Sequence, residues 1–436
     1  MNTTIEATLV TAGAGAYQRR LLGIFGFVWA ADAMQVLAVG FTVASIAQTF
    51  GLSVPEALQT GTVFFLGMLI GATVFGRLAD RFGRRRVLLV TVACDAVFGL
   101  LSAFSPSFGV LLVLRFLTGA AVGGTLPVDY AMMAEFLPAK NRGRWLVILE
   151  GFWAVGTVAI ALAAWVISLN GAADAWRWLF AFTALPALIG IFLRWWVPES
   201  PMFLIRTGRA DQAKSVLNKV LRTNGRPELP PQATLRLPAT PRAGSIFAPA
   251  LRRRTVAVLL VWFFVSISYY GVFTWMPARL AGEGFGFVRG YGFLVIVALA
   301  QLPGYALAAY GVEAWGRKPT LIAFLLLSAL GCSLFVIAAE AWLIGTSILL
   351  MSFALLGTWG ALYAFTPELY PTERRATGMG AASAMARLGG LLAPSLMALV
   401  VTQSFSAAIA LFALFLILGA ATAWFIDTET RQAVLS

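Results

Sequence analysis

The sequence predicts an all-α membrane protein of twelve spanning helices in two six-helix bundles. Three observations predict it: composition, the spacing of apolar runs, and an internal repeat. The 436 residues are 60% hydrophobic and 12% charged, with a mean hydropathy of +0.84, so nearly every long window is more apolar than a soluble core. Crossing the hydrocarbon as helix takes roughly 20 apolar residues. Runs of that order recur at 19–49, 58–78, 87–105, 110–137, 145–169 and 176–196, then at 254–281, 288–312, 320–338, 342–368, 379–403 and 406–427. They do not alternate polar and apolar residues, which excludes a closed outer-membrane barrel.

A duplication accounts for the count of twelve. DRFGRR begins at Asp80 and EAWGRK at Glu313, an offset of 313 − 80 = 233. EFLPAKNR begins at Glu135 and ELYPTERR at Glu368, and 368 − 135 is again 233. Gly83 and Arg84 match Gly316 and Arg317, while Glu135, Pro138 and Arg142 match Glu368, Pro371 and Arg375. Two matches at one offset indicate two copies of a six-helix unit facing the same way, and parallel repeats of that kind enclose a central cavity. The expected division is 1–196 for the first bundle, 197–252 for a cytoplasmic linker and 253–436 for the second bundle.

Along the chain, the first 18 residues lack a basic start, a short apolar core and a small-residue cleavage site, so no removable signal peptide is expected. The first span carries Asp32 near the midplane, with Gln35 a turn later. A carboxylate at that depth is costly and marks function by default. Proton coupling needs such a group, since a low dielectric favours its neutral form in one state; Asp32 is the first candidate and Glu150, in the fifth span, the second. Between the second and third spans, GRLADRFGRRR (76–86) gathers Arg77, Asp80, Arg81, Arg84, Arg85 and Arg86. Such a basic loop satisfies the positive-inside rule. Its matched copy adds a role: Asp80, Arg84, Glu135 and Arg142, with Glu313, Arg317, Glu368 and Arg375, are placed to form breakable pairs between helix ends, as a cytoplasmic gate requires.

In the fourth span Arg115 suits interhelical pairing, while Gly119 and Gly123 allow close helix approach. Cys94 and Cys332 fall within spans as small hydrophobes, and no disulfide framework is indicated. After the sixth span, RTGRADQAKSVLNKVLR (206–222) reads as an amphipathic helix at the cytoplasmic surface, followed by the Pro-rich stretch PELPPQATLRLPATPRAG. The net charge of +13 sits in loops. Of 32 Lys and Arg, three (Arg177, Arg279, Arg289) fall in the opposite loops, an asymmetry that places both termini in the cytoplasm and argues against a nucleic-acid partner. The chain has no His, no Gly-rich phosphate loop, no metal-ligand cluster and no Ser or Cys beside a base, so neither an enzyme nor a metal or other cofactor is expected.

Arg387 lies about nine residues into the eleventh span, ~13 Å from its start at 1.5 Å per residue, deep enough to reach the cavity. Trp153, in the fifth span, and Trp359, about nine residues before Glu368, reach a similar depth of ~12–14 Å. Tyr363 shares a helix face with Trp359, and Tyr130 precedes Glu135 in the fourth span. Four aromatic side chains and a cation at comparable depth suit a flat acid held by stacking, with its carboxylate on Arg387.

These residues also carry a resemblance. GRLADRFGRRR resembles the loop signature of the major facilitator superfamily, and RFLTGAAVGG, PESP (198–201) and ELYPTERR resemble its sugar-porter and organic-ion branch. ADAMQV, PVDYAMMAEFL, FWAVG, SYYGVFTW and TWGALYAFTPELYPTERR are most similar to the synaptic vesicle glycoprotein two group and its bacterial relatives, the niacin porters. The resemblance covers essentially the whole chain. It implies the major facilitator fold, alternating access by rocking of two bundles, a proton gradient as the usual drive, and a bacterial inner-membrane location. Related organic-ion carriers vary charge on the eleventh span with substrate charge, so Arg387 implies an anion. In the synaptic vesicle relatives the positions matching Tyr130, Trp153 and Trp359 line the ligand cavity, whereas the position matching Tyr363 carries an acid.

The expected activity is therefore proton-coupled import of a small organic anion by a monomer in the lipid bilayer, with nicotinate first and benzoate-like acids beside it. A sugar carrier, a proton-driven drug exporter and a membrane ligand sensor are the alternatives. PESP and ELYPTERR tilt against the exporter, and a soluble segment of about 55 residues is small for the output domain a sensor needs.

Overall fold

The computed structural model describes residues 2–138, 142–170, 174–236, 245–282, 291–370, 372–401 and 404–431. The side chains of Asp80 and Arg375 lie outside the described residues. The first six spans are helices Ala16–Phe50, Gln59–Phe82, Arg84–Ala103, Phe108–Glu135, Arg142–Leu169 and Ala175–Trp195. The second six are Pro249–Gly282, a broken eighth (Tyr291–Leu299 and Gln301–Ala314), Arg317–Ile337, Ala341–Phe365, Thr372–Val401 and Phe405–Trp424. Eleven of these spans are long and apolar enough to cross a membrane; the eleventh in order, 30 residues long, completes the set.

The packing repeats as the sequence does. In the first half the first span packs on the fifth, the second on the fourth and the third on the sixth; in the second half the seventh packs on the eleventh, the eighth on the tenth and the ninth on the twelfth. The halves meet where the second span touches the eleventh and the fifth touches the eighth, the same contact made twice. That is the two-fold relation parallel repeats produce.

Two local devices set the helix positions. The second and fourth spans approach backbone to backbone. A Cβ on Gly119 would stand 2.1 Å from the Phe64 carbonyl oxygen, and one on Gly123 2.2 Å from that of Met68, so only glycine lets the helices lie this close. The eighth span breaks at Ala300 because Pro303 has no N–H and its ring would collide with the carbonyl four residues back, that of Leu299. The carbonyl of Val297, beside the break, takes a hydrogen bond from Ser352 Oγ of the tenth span at 2.6 Å, which meets the demand for satisfied backbone groups inside a bilayer.

The linker differs from expectation. Its amphipathic helix forms at Ala210–Thr223, but Ala213, Leu217, Val220 and Leu221 are buried by protein rather than laid on lipid. The helices Pro201–Arg206 and Ile5–Ala12 both pack on it, and Asn2–Thr4 pairs in parallel with Thr234–Arg236. Asn224 fixes the junction, accepting from Tyr17 N at 2.9 Å and donating to Gln18 Oε1 at 2.8 Å. This small strand pair is absent from an all-helical expectation because three-residue strands leave almost no sequence pattern.

Candidate functional site

Between the halves lies a narrow pocket lined by side chains of both. The first half contributes Trp29 from the first span, Leu126 from the fourth, and Glu150 and Trp153 from the fifth. The second half contributes Tyr269 and Tyr270 from the seventh span, Tyr305 from the eighth, Leu356, Trp359 and Tyr363 from the tenth, and Ala386 and Arg387 from the eleventh. Helical spacing explains the selection: Glu150 and Trp153 are three residues apart, and Leu356, Trp359 and Tyr363 fall at i, i+3 and i+7, each set on one face.

The chamber therefore joins four of the five residues expected to hold the cargo, Arg387, Trp153, Trp359 and Tyr363, with Glu150, the second candidate for the proton. Tyr130 stands behind the wall, its ring 5.1 Å from that of Tyr363 and 6.2 Å from that of Trp29, and its hydroxyl donates to the Tyr363 carbonyl at 3.4 Å. Asp32 is buried at 1% exposure within the first half, one turn beyond Trp29, and does not line the chamber. Four lining aromatics, Trp29, Tyr269, Tyr270 and Tyr305, were not singled out as site residues. The run SYY at 268–270 and a Trp one turn before a mid-membrane Asp were the available signals.

The polar groups are few and enclosed. Arg387 is 3% exposed and donates from Nη1 to Tyr270 Oη at 3.5 Å; its Nε has no hydrogen-bond partner in the protein. Glu150 is 4% exposed, interacts electrostatically with Arg387, and leaves Oε2 without a partner; no ion pair joins the two side chains. Trp359 Nε1 and Tyr305 Oη are likewise buried donors without a partner. Trp153 Nε1 donates to Tyr269 Oη at 2.8 Å, a hydrogen bond from one half to the other. Arg115 is outside the chamber: it donates to Gln35 Oε1 at 2.9 Å and to the Gln35 carbonyl at 3.0 Å, and lies 4.4–4.6 Å from the rings of Phe180 and Phe64. It ties the first and fourth spans together.

At the linker end of each half the repeated motifs build the same cluster. Arg84 pairs with Glu135, which also accepts from Ser200 Oγ, and the Glu199 carboxylate accepts from the backbone N–H groups of Arg84 (3.1 Å) and Arg85 (3.3 Å) at the start of the third span. Arg317 donates to Glu368 from Nε (3.1 Å) and Nη2 (3.2 Å) and pairs with Glu313 one turn away (3.1 Å). Thr430 donates to Glu368 at 2.6 Å, and Glu429 accepts from the N–H groups of Arg317 and Lys318 at 2.9 and 3.0 Å. Carboxylates suit these helix N-termini. Arg142 instead donates to the Leu137 carbonyl at 3.0 Å. Glu199, Ser200, Glu429 and Thr430 extend the repeat beyond the two motifs that reveal it. Their spacing, 230 rather than 233, hides the second copy from an offset search.

A two-fold bundle with a pocket between its halves is the architecture of a membrane transporter built from parallel repeats. Residues 48–435 match the family described as sugar (and other) transporter. The chain is 34% identical to the niacin transporter NiaP of Acinetobacter baylyi over 97% of this chain and 96% of that one. It is 30% identical to the synaptic vesicle 2-related protein of Xenopus laevis, over 98% and 81% of the two chains. The solved structure of the proton:xylose symporter XylE superposes with a TM-score of 0.77 at 20% identity, covering 96% of this chain and 98% of that one, which shows the shared fold. The chain belongs to the sugar (and other) transporter family of the major facilitator superfamily; it is a multi-pass membrane transporter and not an enzyme.

Proposed function

We propose that this chain is a proton-coupled importer of a small aromatic carboxylate, nicotinate above all. One observation carries the reading: Arg387, 3% exposed and with no ion pair to the Glu150 beside it, faces a chamber walled by seven aromatic rings. A charged side chain at such depth costs about 2.5–3.5 kcal/mol on insertion scales, and an anionic guest offsets that cost by charge-assisted hydrogen bonds. Trp153, Trp359 and Tyr363 supply faces and edges for a flat ring, with Tyr130 bracing Tyr363. The name of the Acinetobacter relative, a niacin transporter, supports the cargo.

Asp32 carries the proton in this reading, with Glu150 as the second carboxylate. The linker-side clusters act as the gate, with Asp80, Arg142 and Arg375 assigned to it from the repeated sequence motifs, and the bundles divide at 196/197 and 252/253. The protein works as a monomer in the bacterial inner membrane with both termini in the cytoplasm. Uptake of labelled nicotinate into proteoliposomes with an imposed proton gradient tests this. Accumulation should stop when the gradient is collapsed. Arg387→Ala should lower uptake at least about a hundredfold, the consequence of losing ~3 kcal/mol of charge-assisted contact, while the protein still inserts. Asp32→Asn should leave exchange but end accumulation; unaltered uptake in Arg387→Ala removes the cargo assignment.

A further inference from the structure

We propose that Glu150 reads a ring nitrogen, so that the chamber selects heteroaromatic acids over purely carbocyclic ones. The inference rests on the proposed carboxylate cargo and deepens it. Its basis is that the chamber has two poles. Arg387 and Glu150 both line it and feel each other's charge, yet no ion pair joins them, and each keeps a buried polar atom, Nε and Oε2, without a partner in the protein. They project from different halves, Glu150 on the fifth span and Arg387 on the eleventh.

A guest that is only a carboxylate on a ring satisfies Arg387 and leaves the Glu150 oxygen bare against an apolar edge. Leaving a buried polar group unpaired is what a site built for hydrogen bonding punishes most. A sugar offers hydroxyls to Glu150 but nothing to neutralise Arg387. A pyridine carboxylate answers both: its carboxylate meets the guanidinium while its nitrogen faces Glu150. When Glu150 is protonated its O–H donates to the ring nitrogen; when the ring is protonated its N–H donates to the carboxylate. One proton lies between the two groups in either case, and the count of atoms and charge is the same.

Equilibrium binding of nicotinate, benzoate and isonicotinate to the purified full-length protein, wild type and variants, decides this. The wild type should bind nicotinate at least tenfold more tightly than benzoate, and more tightly than isonicotinate, whose nitrogen is displaced around the ring. Glu150→Leu should bring nicotinate and benzoate within about twofold of each other, mainly by weakening nicotinate. Glu150→Gln, whose amide N–H still donates to a ring nitrogen, should keep most of the preference. Equal binding of nicotinate and benzoate by the wild type, or an unchanged ratio in Glu150→Leu, overturns the inference and leaves the carboxylate reading standing. Binding of none of the three acids by the wild type overturns both. Should the Leu variant fail to fold, the wild-type series and the Gln variant still decide.

Discussion

The hydrogen bond from Trp153 Nε1 to Tyr269 Oη, 2.8 Å long, joins two pocket-lining side chains from opposite halves. In the proposed alternating-access cycle the halves move apart there, so this bond should form in some states and open in others. A neutral hydrogen bond contributes about 0.5–1.5 kcal/mol net. Trp153→Phe, which keeps the ring and removes the donor, should therefore change the apparent nicotinate affinity by roughly two- to tenfold without affecting assembly. Tyr269→Phe should give the same change, and the double variant should give no more than either alone. Concentration dependence of uptake by the three variants measures it; additive losses would mean the two side chains act independently. Site residues of this kind were half legible in the sequence. Arg387, Glu150, Trp153, Trp359 and Tyr363 could be found because charges and aromatics at countable depth stand out against an apolar helix. Trp29, Tyr269, Tyr270 and Tyr305 leave a weaker trace: SYY and a Trp one turn before Asp32 are visible, but whether each side chain reaches the pocket depends on how its helix is rotated, and a helix apolar on every side carries no mark of its inward face.

At the scale of elements, number and order were legible and interruptions were not. Hydrophobic length located all twelve spans but not the break at Ala300, which precedes Pro303 in the span that carries the lining residue Tyr305. The linker helix was visible from its periodicity, but not the partner that covers it, because a buried amphipathic face and a membrane-surface face look the same in sequence. The glycines of the fourth span could be read correctly: their four-residue spacing announces close approach, and the structure supplies the partners, the carbonyls of Phe64 and Met68. Replacing glycine in a helix normally helps, by about 1 kcal/mol for alanine. At Gly119 the obstacle is backbone at 2.1 Å, which cannot swing aside, and overpacking of this sort costs about 1–3 kcal/mol. Gly119→Ala should thus lower the thermal unfolding temperature of the purified protein. Gly23→Ala, exposed and with nothing within 4 Å of the new Cβ, should hold or raise it. Equal shifts in the two variants would contradict backbone-limited packing of the second and fourth spans.

At the scale of the whole molecule, the duplication places one charged cluster at the linker end of each half, and the two are joined differently to the rest. Gly83 and Gly316 sit at φ of 102° and 113°, a left-handed turn that opens the third and ninth spans toward the carboxylates of Glu199 and Glu429. Both ion pairs, Arg84 with Glu135 and Arg317 with Glu368, lie within their own halves. The second also lies near the first half: a Cβ added to Gly143, at the start of the fifth span, would stand 3.5 Å from Arg317 Nη2 and 3.8 Å from Glu368 Oε1. In the proposed gate the Arg317–Glu368 pair is therefore the one placed nearer the other half. Hydrogen bonds to charged groups contribute about 1.5–3 kcal/mol, and each 1.4 kcal/mol shifts a two-state population about tenfold. Glu368→Gln keeps the volume and removes the charge, so it should move the population at least fivefold toward molecules open at the linker end. Spin labels at Arg86→Cys and Pro319→Cys, in a background with Cys94 and Cys332 replaced by Ser, should report a longer distance population in Glu368→Gln than in the parent. Glu135→Gln, which removes the matched charge in the first half, is the comparison. An identical distance distribution in all three proteins would remove the Arg317–Glu368 pair from the gate while leaving the chamber and its cargo untouched.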